Sequence, residues 1–184
     1  MTTLPQVRMS VEQFLAWAEG QPGRYELADG VVYAMVPERA VHAERKFAIQ
    51  AALSAGIRAG SLSCHMLPDG MTVRIDEVTA YEPDALVYCG PKLPSSAVLV
   101  PNPVIVVEVL SPSTSRVDAL SKLAGYIRVP STQHYLIVDP DKPLIIHHAR
   151  SEGDALTTRI ISEGTISLDP PGLLLALADI YSSD

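Results

Sequence analysis

The chain has 184 residues and a formal charge of −7, from 14 Lys and Arg against 21 Asp and Glu. Apolar residues make up 47% and charged residues 19%, which excludes a disordered chain and predicts one domain over residues 1–184, its core at about 10–178. The net acidity excludes the long-range capture of nucleic acid used by basic domains, and no apolar run approaches the ~20 residues of a membrane span.

Met1 to Arg8 lacks the apolar stretch of a signal peptide. Cys64 and Cys89 lie in apolar, strand-like contexts without zinc-type spacing, so buried reduced thiols in a cytoplasmic protein are expected.

Taken in chain order, Ser10 as N-cap, then Val11, Phe14, Leu15 and Ala18, with Gly20 as a stop, predict a short amphipathic helix. Arg24 to Leu27 and Val31 to Met35 flank Ala28-Asp29-Gly30, the signature of a hairpin. Residues 38–59 lack Pro and are rich in Ala, which predicts a long helix ending near Gly60. Cys64 to Leu67 and Met71 to Ile75, joined by Pro68-Asp69-Gly70, predict a second hairpin, with a strand beyond it at Pro83 to Tyr88. A Pro-rich connection leads to the apolar run Val104 to Leu110, a turn at Pro112 to Thr114 and a helix from Ser115 to Val129 that Pro130 stops. His134 to Val138 and Leu144 to His148 read as a third hairpin. Short strands follow at 156–161 and 165–168, then the apolar segment from Leu173 to Ile180, whose stretch Leu173 to Leu177 reads as a core helix, with a dimer contact as the alternative. Paired strands around one strand-helix-strand unit predict an α/β (α+β) fold with a central mixed sheet flanked by helices.

Two acids stand in or beside the most apolar strands. Asp84 opens the run Ala85-Leu86-Val87-Tyr88, and Glu108 stands between Val107 and Val109. A carboxylate taken from water requires a partner, and a divalent cation serves two acids at once. If their strands are neighbours, Asp84 and Glu108 converge at one sheet edge, with the Val109 carbonyl as a further oxygen ligand for Mg²⁺ or Mn²⁺. Lys122, on the next helix, is placed to lean back and stabilise developing charge or orient a water. Glu26 alternates with Tyr25 and Leu27 and is a fourth candidate, with surface pairing to Arg24 or Arg45 as its structural alternative. Acids, a cation and a metal are the parts of a phosphodiester hydrolase. His42 reads as a surface residue, Asp69 as a turn residue, and His147 and His148 as edge-strand residues on opposite faces that cannot share one metal.

Five segments together resemble the Uma-type restriction endonuclease family of the PD-(D/E)XK nuclease superfamily. They are Tyr25-Glu26-Leu27 with Asp29-Gly30; Pro83-Asp84; Val107 to Thr114; Lys122-Leu123 with Tyr126; and His134 to Pro140. The resemblance runs from about Ser10 to about Ala178. It implies a central mixed sheet with flanking helices, a Mg²⁺-type site, DNA as substrate and a homodimer. The superfamily's lysine, two residues after the second acid, is replaced here by Leu110; the resemblance implies that Lys122 takes its place. Two other functions compete: a nuclease-like module that binds nucleic acid or protein without cleaving, and a hydrolase of a smaller phosphate ester. A basic stripe leading away from Asp84 would count against the last.

Overall fold

The computed structural model describes residues 2–3, 8–111, 116–152 and 155–181. Ser10 caps the first helix, α1 (Val11–Ala18), in a reciprocal capping box with Gln13. The strands β2 (Tyr25–Ala28) and β3 (Val31–Ala34) form the Asp-Gly hairpin. Both turn residues have positive φ, 50° at Asp29 and 79° at Gly30, as a twist-matched two-residue turn requires. With β1 (Thr2–Thr3), β5 (Val73–Arg74) and β6 (Ala80–Tyr81) they make a five-stranded sheet, ordered β1-β3-β2-β6-β5. Val11 and Phe14 of α1 close a small core with Leu27, Val32 and Ala80.

The larger sheet has six strands, β4 (Cys64–Pro68), β7 (Ala85–Cys89), β8 (Pro103–Val109), β9 (His134–Val138), β10 (Ile145–Arg150) and β11 (Leu156–Ile161), in the order β11-β10-β9-β8-β7-β4. Only β8 and β9 run parallel, joined by α3 (Arg116–Arg128), so the sheet is mixed, as expected. Strand alternation divides the sheet between two cores. Ile105, Val107 and Val109 of β8 pack with Ile49, Leu53 and Ile57 of the long helix α2 (Ala40–Ala59). Val106 faces the other way and joins Tyr126 of α3 and Val129 just beyond it. Each such buried aliphatic side chain contributes about 1.5–3 kcal/mol.

Three expectations are corrected. Pro68-Asp69-Gly70 does not join a hairpin: β4 pairs with β7, while β5 pairs with β6 in the other sheet. Cys64 therefore lies directly opposite Cys89, and the two form a disulfide rather than free thiols. The segment after Leu173 is not a core helix: its alternating burial suits the strand β13 (Leu173–Ala176), which pairs with β12 (Thr165–Leu168) and leads into the short α4 (Ala178–Tyr181). The predicted turn at Pro112 to Thr114 lies outside the described residues. Among the described residues, no helix is long and apolar enough to cross a membrane.

Candidate functional site

Asp84 stands at the start of β7, one residue beyond the Ala85–Val107 pair, and its amide donates to the Val107 carbonyl at 3.1 Å. The Val109 amide answers by donating to Asp84 Oδ2 at 2.7 Å. Register alone thus brings Asp84, Glu108 and Val109 to one end of adjacent strands. The first turn of α2 faces them. His42 Nε2 lies 3.0 Å from the Val109 carbonyl oxygen and 3.7 Å from Asp84 Oδ2, and its Nδ1 lies 3.2 Å from Glu38 Oε2. One ligand atom from each of Glu38, His42 and Asp84 falls within 4.8 Å of the others, a cluster able to coordinate a divalent metal.

On the other side, Tyr25 and Leu27 pack toward α1, so alternation turns Glu26 inward, where it is 2% exposed. Its Oε1 accepts from the Glu82 amide at 2.9 Å and from Lys122 Nζ at 2.9 Å. The same ammonium donates to Glu108 Oε1 at 3.0 Å. Tyr126, one helical turn past Lys122, donates its hydroxyl to that same oxygen at 2.8 Å.

Negative charge exceeds positive here. Burial pushes the Asp84, Glu82 and Glu108 carboxyls up; for Glu108, burial outweighs the opposing pull of Lys122, Asp84 and Glu26 add repulsion, and the value rises to about 8. Burial works against the Lys122 charge, but Glu108 and Glu26 hold the ammonium well above its ordinary value. An excess of buried oxygen donors over cations suits a hard divalent ion.

All five predicted site residues meet at this place: Lys122 joins Glu26 to Glu108, and Val109 touches Asp84 through its amide and His42 through its carbonyl. Glu26 takes neither surface partner. Arg24 pairs instead with Glu82 and Asp69, and Arg45 donates to the carbonyls of Pro140 and Ile180. His42 is buried, not a surface residue, and the Glu38–His42 spacing of one helical turn was its signal. Asp69 is more than a turn residue, since it also takes Lys46 at 3.1 Å. His147 and His148 lie on an interior strand, His147 bonded to His134 and His148 to Thr158.

The six-stranded mixed sheet, flanked by helices with acids at the ends of two interior strands, is a restriction-endonuclease-like architecture. A solved structure from Anabaena variabilis, titled "putative nuclease belonging to DUF820", shares it with a TM-score of 0.74 at 14% identity, over 95% of this chain and 98% of that one. The chain belongs to the Uma2 family, described as "Putative restriction endonuclease", whose model matches residues 11–178. The uncharacterised protein slr1290 of Synechocystis sp. is 30% identical over 187 aligned residues, covering 96% of this chain and 93% of that protein.

Proposed function

We propose that the protein is a Mg²⁺- or Mn²⁺-dependent endonuclease that hydrolyses DNA phosphodiester bonds, built as one domain and working as a homodimer. The observation that supports this most is the convergence of Asp84, Glu108 and Lys122 at one end of β7 and β8. Asp84, Glu108 and the Val109 carbonyl would hold the cation, with Glu38 and His42 as further donors sharing Asp84. When bound, such a cation polarises a phosphoryl oxygen and acidifies a water. Lys122 stabilises negative charge developing on the phosphate, and Glu26 holds its ammonium at Glu108. The segments 36–41 and 90–102 are the loops from which sequence preference would come.

A hydrolase of a smaller phosphate ester is the second reading, favoured by one observation. Arg24 and Lys46, the cations around the Glu38–Asp84 cluster, are already held by Glu38, Asp69 and Glu82, and do not form an open basic track.

Plasmid nicking beside hydrolysis of bis-p-nitrophenyl phosphate tests both readings, with wild type, Asp84→Asn, Glu108→Gln and Lys122→Met. Nicking that requires the cation and all three residues supports the endonuclease. Turnover of the small diester without nicking supports the second reading, and activity unchanged in the three variants defeats both.

A further inference from the structure

Among the described residues, two hydrogen bonds reach Glu108 from α3, and both fall on one oxygen. Lys122 Nζ and Tyr126 Oη reach Oε1 at 3.0 and 2.8 Å. Tyr126 is fully buried, its ring set edge-on to Tyr81 at 5.5 Å between centroids and tilted against Tyr135 at 5.2 Å. Gly125 beside it leaves room for this packing, because a Cβ there would come within 2.7 Å of the Tyr81 ring. A ring so enclosed fixes where its phenol oxygen lies, and from there the hydroxyl donates to Glu108 Oε1. The ammonium on the same oxygen is fixed from a second side by Glu26.

We propose that Tyr126 is a positioning residue: with Lys122 it occupies Glu108 Oε1, so that the carboxylate presents Oε2 alone to a divalent cation, and it thereby selects a small octahedral ion over Ca²⁺. This rests on the reading of Asp84 and Glu108 as cation ligands. The physical ground is coordination chemistry. Mg²⁺-like ions take near-octahedral sets in which a carboxylate gives one oxygen, whereas Ca²⁺ accepts six to eight oxygens and readily takes both oxygens of one carboxylate. A partner that holds one oxygen from behind both orients the ligand and closes the two-oxygen mode. Tyr126 is thus assigned to ion choice.

The test is a Mn²⁺ titration read by electron paramagnetic resonance on the full chain, with Ca²⁺ as competitor, for wild type, Tyr126→Phe and Asp84→Asn. Tyr126→Phe keeps the ring between its neighbours, and its metal-free thermal midpoint reports on the fold. The expected result is Mn²⁺ affinity about tenfold weaker than wild type, with Ca²⁺ displacing Mn²⁺ at a lower concentration ratio. Affinity unchanged in Tyr126→Phe while Asp84→Asn abolishes binding would overturn the inference and leave the cation site standing. An equal fall for both ions overturns it too, since that marks a structural role without ion choice. The wild type needs no variant: if it binds Ca²⁺ as tightly as Mn²⁺ the inference fails, and if it binds no Mn²⁺ the cation reading fails with it.

Discussion

Lys122 joins Glu26 to Glu108, an acid from the five-stranded sheet to an acid from the six-stranded sheet, with contacts of 2.9 and 3.0 Å through one buried ammonium. Taking it away leaves the buried Glu26 and the largely buried Glu108 without the cation they share. Lys122→Gln is expected to destabilise the metal-free protein by about 3–5 kcal/mol. Urea unfolding would show it as a lower midpoint, and Mg²⁺ should recover part of the loss by supplying the missing positive charge. A midpoint equal to that of the wild type would mean that the acids are relieved in another way.

Cation affinity should depend on pH through Glu108. Its carboxyl, pushed up to about 8 by burial, holds a proton in the metal-free protein below that pH, and a cation must expel it. Apparent Mg²⁺ affinity is expected to weaken about tenfold per unit below about pH 8. Titration calorimetry in two buffers of different ionisation enthalpy would show the released proton. For stability the sign is opposite. The folded-state value lies above the ordinary 4.5, so folded protein binds more protons in between; the metal-free fold loses stability as pH rises from about 4.5 to about 8.

The Cys64–Cys89 disulfide ties edge strand β4 to β7 across a sequence separation of 25 residues. Its removal in a Cys64→Ala, Cys89→Ala double variant should cost about 3 kcal/mol through the freed unfolded chain. The backbone pairing from Cys64 to Pro68 needs no sulfur, so the variant is expected to fold, with a lower thermal midpoint. An unchanged midpoint would count against the bond in solution.

Gly125→Ala should be a packing lesion of a different kind. The added methyl meets the Tyr81 ring at 2.7 Å, and that ring is buried against Tyr126. Displacing it is expected to cost about 1–3 kcal/mol, measured by urea unfolding.

Local signals made much of this legible in the sequence. Asp29-Gly30 has the one chemistry that fits its turn, and the run from Val104 through α3 to Val138 carries the periods of strand, helix and strand. The acids stood out because Asp84 opened one apolar run and Glu108 broke another, and adjacent strands did the rest. What escaped depended on partners distant in sequence. Nothing in Cys64 to Leu67 says that its neighbour is β7 rather than β5, and with that pairing unknown the disulfide could not be seen. Leu173 to Leu175 is too short a run to separate strand from helix by apolar content alone. His42 was misplaced because α2 has apolar residues around much of its circumference, so its buried face is weakly marked.

The candidate site sits on a joint. Glu26 belongs to a sheet of short strands that packs partly on α1 and partly, through Val73 and Tyr81, on the α3 side of the larger sheet, whose strands β7 and β8 bring Asp84 and Glu108. A partial opening that parts the two sheets separates Glu26 from Lys122, breaks the Tyr81–Tyr126 contact and exposes the acids to water while the core under α2 stays closed. Mild denaturant or warmth should therefore erase cation binding before circular dichroism records a loss of structure: the chemistry is more fragile than the scaffold that carries it.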